Sequence, residues 1–221
     1  MIPDKVIKTR RKTIALQVTE YAELIVRAPY RAEPDEIQSV IAKHATWIHR
    51  KKEEMLSKDP KFNRKKYVNG EGFPYLGRYY RLRIIKDLGK PLTLTNEFLL
   101  SADRVPFAGD EIVKWYNEQA KEFITKRANI ISKSTALKYA SINITNAEQR
   151  WGSCSKNGQL NFTWRLIMAP VSVIDYVVLH EMVHIVVKNH PKTFWNKVEA
   201  YMPDYRERNE WLKENGYLLR L

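Results

Sequence analysis

A single cysteine, Cys154, among 221 residues excludes an internal disulfide, and a reducing cytoplasm is the compartment this predicts. No apolar run reaches the roughly 20 residues that a membrane-spanning helix requires. The opening stretch MIPDKVIKTRRK is polar and basic, with no hydrophobic segment behind it of the kind a signal peptide carries. The expectation is a cytoplasmic chain with no membrane partner. Internal repeats and low-complexity tracts are also missing, so the chain reads as an ordinary folded protein.

What is present agrees with that. Hydrophobic residues make up 44% and charged residues 29%, a balance that favours burial of a core over disorder. The length suits one large domain or two small ones. Negative charge is in short supply, and the formal net charge is +13. Residues 1 to 66 hold 16 Lys/Arg against 9 Asp/Glu, and the remaining 155 hold 22 against 16. A basic N-terminal face of this kind would attract polyanions such as nucleic acid. The plainer alternative is a solvated surface with no partner.

Along the chain, TIALQVT (13 to 19) and AELIVRA (22 to 28) predict a hairpin turned at Glu20-Tyr21. Pro34 opens a helical pattern that closes in HRKKEE. GEGFPYLGRYYRLRII predicts a turn-punctuated strand region, and LTLTNEFLLS a strand pair. From about Asp110 to Ile131 the apolar spacing is helical. SINIT (141 to 145) and LNFTW (160 to 164) predict strands joined by the loop WGSCSKNG. The expected fold is α+β, β-rich first and helix-rich later, with a seam near Val105 to Gly109 that divides 1–106 from 107–221. Ser172 and Asp175 fit a capping box that would start a helix running to about Val187.

That helix poses a chemical problem. Eight of the eleven residues from Val177 to Val187 are aliphatic or Met, and the exceptions are His180, Glu181 and His184. Burying such groups without partners costs several kcal/mol. A helix advances about 100° per residue, so His180 and His184 share a face and can share one ion. Glu181, adjacent, can act as a general base toward a water on that ion, the H-E-x-x-H geometry. A hydrolytic zinc site needs a third ligand and an open position, and His190 can supply the ligand once the chain folds back. Asn189 tolerates the left-handed backbone such a reversal often uses. Three of the five histidines fall within eleven residues. Metzincins have the same H-x5-H spacing, but Val187 stands at their glycine.

RWGSCSKNGQLNFTWRLIMAPVSVIDYVVLHEMVHIVVKNHPKTFW, together with RRKTIALQV and VNGEGFPYLGRYYRLRI further upstream, resembles the YgjP-like zinc metallopeptidases, distant relatives of the WLM and SprT-like proteases. The resemblance spans nearly the whole chain. It implies a zincin-like catalytic half at 107–221 with a small mixed sheet, and a Zn2+-dependent hydrolase acting on peptides or proteins. His180, His184 and His190 would be the metal ligands and Glu181 the catalytic acid/base. Some WLM and SprT-like relatives digest proteins crosslinked to DNA, an analogy at the level of fold.

Several neighbouring residues stay open on sequence alone. Arg150 can either stabilise an oxyanion or pair with Glu148 or Asp175. Tyr201 and Tyr205 could fill the oxyanion role too. Cys154 reads as a structural thiol, and LNFTW as a strand edge able to bind an extended peptide. The competing function is a non-enzymatic binding module in which a fourth protein ligand such as Cys154 closes a structural metal site.

Overall fold

A computed structural model describes residues 1–19, 22–57 and 65–221. Its contacts separate two compact units, Met1–Asn63 and Arg64–Leu221. The seam expected at Val105 to Gly109 therefore lies inside the second unit.

In the first unit, β3 (Leu24–Pro29) is the central strand, parallel to β1 (Lys5–Thr9) and antiparallel to β2 (Ala15–Val18). The predicted hairpin is present as β2 and β3, while its turn at Glu20-Tyr21 lies outside the described residues. Alternate residues Leu24, Val26 and Ala28 of β3 are buried, as a strand with one covered face requires. Ile37 and Ile41 of α1 (Pro34–Lys43) and Ile48 of α2 (Ala45–Ser57) complete this core. The single helical run predicted from Pro34 is thus two helices, broken at His44.

The second unit begins with a four-stranded sheet ordered β4-β5-β7-β6, from β4 (Gly72–Tyr75), β5 (Arg78–Ile85), β6 (Leu92–Leu94) and β7 (Phe98–Ser101). The β4–β5 turn is the two-residue pair Leu76-Gly77, both with positive φ, 50° and 79°. That is the backbone twist two-residue hairpins favour. Its amides donate to the Ile167 and Met168 carbonyls at 2.9 and 3.1 Å, and a Cβ at Gly77 would meet Pro170 Cα at 2.9 Å. The turn thereby docks on residues 167 to 170.

Helix α3 (Ala108–Thr135) carries a buried stripe of Ile112, Tyr116, Ala120, Ile124, Ala128 and Ile131. The hydroxyl of Tyr116 donates to the Pro74 carbonyl at 2.6 Å, and burial pushes this phenol's pKa far up. A second sheet, ordered β8-β10-β9, combines β8 (Ser141–Thr145), β9 (Gly152–Cys154) and β10 (Gln159–Thr163). Here β8 and β10 are parallel, and the stretch read as a loop contains β9, which pairs antiparallel with β10. Most of the LNFTW stretch is β10, the middle strand paired on both sides, so it offers no edge to a peptide; β8 and β9 are the outer strands.

Three helices follow: α4 (Val171–Val183), α5 (Lys192–Tyr201) and α6 (Tyr205–Asn215). Nine of the thirteen residues of α4 are buried, so it is a central helix enclosed by its neighbours. The Ser172–Asp175 capping box is not formed: Pro170 is the N-cap, with no side-chain cap bond. Asp175 instead binds Arg127 of α3 through two contacts of 2.6 Å. Both groups are mostly buried, so removing one charge strands the other. Asp175→Asn is expected to lower unfolding free energy by about 2–4 kcal/mol, read from denaturant melts. An equal loss in an Arg127→Met background would show that this pair is not the cause.

Candidate metal centre

The centre is built where α4 stops. The helix ends at Val183, earlier than the Val187 suggested by the apolar spacing, with His184 as its C-cap. Residues 184 to 190 then reverse direction without a left-handed Asn189. Their turn is fixed by amide bonds from Ile185 to Met182 and from Val187 to Val183, each 3.0 Å. Pro191 caps α5, which brings His190 back over the end of α4.

The three imidazoles meet. His190 Nε2 lies 3.0 Å from His180 Nε2 and 3.1 Å from His184 Nε2. Two nitrogens bound to one tetrahedral ion at ~2.0 Å are separated by about 3.3 Å, so the spacing suits a shared cation. Among the described residues, no cysteine, aspartate, glutamate or other histidine joins the group.

Hydrogen bonding sets the protonation state. His184 Nδ1 is 2.9 Å from the Val187 carbonyl, which only accepts, so Nδ1 carries the proton. The Nε2 of the neutral ring then holds a lone pair aimed at the other two nitrogens. A hydrogen on His190 Nε2 would serve only one of its two neighbours, which leaves an electron-rich centre that a cation satisfies. Protonation is opposed as well. Burial, then the neighbouring His184 and His190, hold the pKa of His180 down to about 3. Burial also lowers that of His184, against the pull of the Val187 carbonyl. His180 Nδ1 is buried and has no hydrogen-bond partner among the described residues.

An aromatic layer supports the triad. Phe194 of α5, fully buried, has its ring centroid 4.9, 4.5 and 4.7 Å from those of His180, His184 and His190. Trp195 stacks on His190 at 5.6 Å, Tyr205 on Trp195 at 5.6 Å, and Tyr176 on Tyr205 at 6.4 Å. Helical spacing marks Phe194 and Trp195 only as core positions. Their role under the histidines arises from the fold-back of α5.

Glu181 is 7% exposed and faces β9, with its side chain against Gly152. Burial pushes its pKa up to about 7, while Arg150 pulls it down. Both carboxylates expected as partners of Arg150 are taken: Asp175 by Arg127 at 2.6 Å and Glu148 by Arg165 at 3.9 Å. Arg150 is exposed and makes no hydrogen bond or ion pair among the described residues. Tyr201 is directed elsewhere, donating to the Thr135 carbonyl at 3.3 Å. The Cys154 thiol lies 3.4 Å from the Ser155 carbonyl, and burial raises its pKa.

The family model described as YgjP-like, metallopeptidase domain, matches residues 12–215. The chain belongs to this family. It is therefore a metallopeptidase, which implies a catalytic metal and peptide or protein substrates. Two solved structures are similar to part of this YgjP-like chain. One is the crystal structure of the metallopeptidase zymogen of Pyrococcus abyssi abylysin, 15% identical, covering 41% of this chain and 93% of that one, with a TM-score of 0.38. The other is the metallopeptidase zymogen of Methanocaldococcus jannaschii jannalysin, 23% identical, covering 41% and 94%, with a TM-score of 0.37. No curated protein matches the chain. Among the described residues, no helix is long and apolar enough to cross a membrane.

Proposed function

We propose that this YgjP-like metallopeptidase uses zinc held by His180, His184 and His190, with Glu181 as the residue that moves the proton during amide hydrolysis. The observation that carries the reading is the convergence of three imidazole nitrogens with no fourth Cys, His, Asp or Glu among the described residues. Three nitrogen ligands favour zinc among common divalent ions. When bound, the ion supplies Lewis-acid polarisation and makes water acidic near neutral pH.

The chain's own groups do the rest. Glu181, one residue along α4 from His180, accepts a proton from the attacking water and returns it to the leaving amine. Its burial beside Gly152 keeps the carboxylate desolvated and in one place. The Val187 carbonyl orients the His184 ring, and Phe194 and Trp195 keep bulk water from the back of the triad. Arg150, whose charge acts on Glu181, stabilises the negative charge that develops on the scissile carbonyl.

The arginine gives a clean test, since it makes no hydrogen bond or ion pair among the described residues. Arg150→Ala is expected to change unfolding free energy by less than about 0.5 kcal/mol and to lower kcat by about 10²-fold. Unchanged kcat on a casein or peptide substrate would remove it from the site. The proposal of a closed structural metal site makes a different prediction for a cobalt-substituted sample. An intense thiolate charge-transfer band would assign Cys154 as fourth ligand and overturn the hydrolytic reading; weak bands without it fit three imidazoles and an open position.

A further inference from the structure

At Gly152 the strand β9 leaves no room for a Cβ against the Glu181 side chain of α4 as it stands. A Cβ built on Gly152 would stand 2.6 Å from Glu181 Cγ, 2.8 Å from Oε1 and 3.0 Å from Cδ. Neither wall can retreat freely. Gly152 is paired with Phe162, and the amide of Thr163 donates to the Trp151 carbonyl at 3.0 Å. On the other side, Val178, Leu179, Met182 and Val183 fix α4 in the core with at most 1% exposure. Only the Glu181 side chain has freedom to yield.

The flanking residues alternate as a strand should. Trp151 turns the opposite way and packs on Gly216, where a Cβ would meet Trp151 Cζ2 at 2.9 Å. Ser153 Oγ accepts from Asn161 Nδ2 at 3.3 Å. Arg150 and Cys154, two residues to either side of Gly152, both interact electrostatically with Glu181.

We infer that Gly152 is a positioning residue: the side chain it lacks is the space in which the Glu181 carboxylate stands, and any larger residue displaces that carboxylate from the histidine triad. This rests on the assignment of Glu181 as the proton-moving group. The backbone offers no other reason for glycine, because Gly152 lies outside the left-handed region that excludes side chains. Alanine would suit an extended strand better than glycine does, since glycine loses more conformational freedom on folding. Steric need at Glu181 is what opposes it.

The test is a cycle of four proteins: the wild type, Gly152→Ala, Glu181→Ala and the double variant, each loaded with zinc. Alanine at 152 is expected to lower the melting temperature when Glu181 is present and to leave it unchanged or raise it in the Glu181→Ala background. The same shift in both backgrounds would overturn the inference without touching the peptidase reading. Turnover adds a readout that a structural role would not produce. On fluorescein-labelled casein, Gly152→Ala is expected to retain zinc and KM while kcat falls about 10²-fold, the loss typical of a catalytic group displaced by about 1 Å. Wild-type kcat in Gly152→Ala, alongside an inactive Glu181→Gln, would reject positioning and leave the proton-transfer assignment standing.

Discussion

Glu181→Gln should purify with a full complement of zinc and yet turn over substrate about 10²–10⁴-fold more slowly than the wild type. The amide matches the carboxylate in size, so it fits the same space between α4 and Gly152. Glu181 is not one of the clustered ligand atoms, so the nitrogens that hold the ion are unchanged. What the variant loses is a basic oxygen able to take a proton and give it back. Metal analysis beside kcat on a protein substrate reads both halves of the expectation. Retention of more than about a tenth of wild-type kcat would mean that proton transfer runs through another group. Loss of the ion would make Glu181 part of the binding set.

His184→Ala should do the opposite and remove the ion together with the activity. His184 provides one of three converging nitrogens and is itself oriented by the Val187 carbonyl at 2.9 Å. Losing an outer orienting partner commonly costs about 10–100-fold in metal affinity, and losing the ligand itself should cost more. The loss is also visible in stability. An ion present at about a thousandfold its Kd stabilises the folded state by about 4 kcal/mol. In a unit of this size that corresponds to a rise in melting temperature of roughly 10 °C. Zinc should therefore raise the wild-type Tm, a chelator should reverse the rise, and His184→Ala should respond to neither. A variant that kept the zinc-dependent shift would exclude His184 as a ligand.

How far the sequence reaches can be judged from individual elements. Short apolar stretches announced β3, β5 and β10 as strands, and helical spacing announced α3 within a few residues of its ends. The apolar α4 with its two imidazoles and one carboxylate was equally legible, because burying such groups has a cost that demands a cause. By contrast, β9 is three residues long and too short to show a period. Its partner strand is also what makes it a strand at all. The Asp175 carboxylate looked like a local cap because Ser172 sits three residues before it, but a guanidinium 48 residues away in sequence won it. A bidentate charged pair outweighs a helix cap when the tertiary fold supplies it.

The sequence by itself determined the chemistry on offer: which faces are apolar, that two imidazoles lie one turn apart, and that a carboxylate stands beside them. These follow from the fixed geometry of a helix and from side-chain type, both local properties. Only the tertiary structure decided that His190 returns to within 3.0 Å of His180, that β10 is the middle strand of its sheet and β9 an outer one, and that Gly152 opens space for Glu181. Those outcomes depend on contacts between segments distant along the chain, and such contacts are selected by packing the whole core at once.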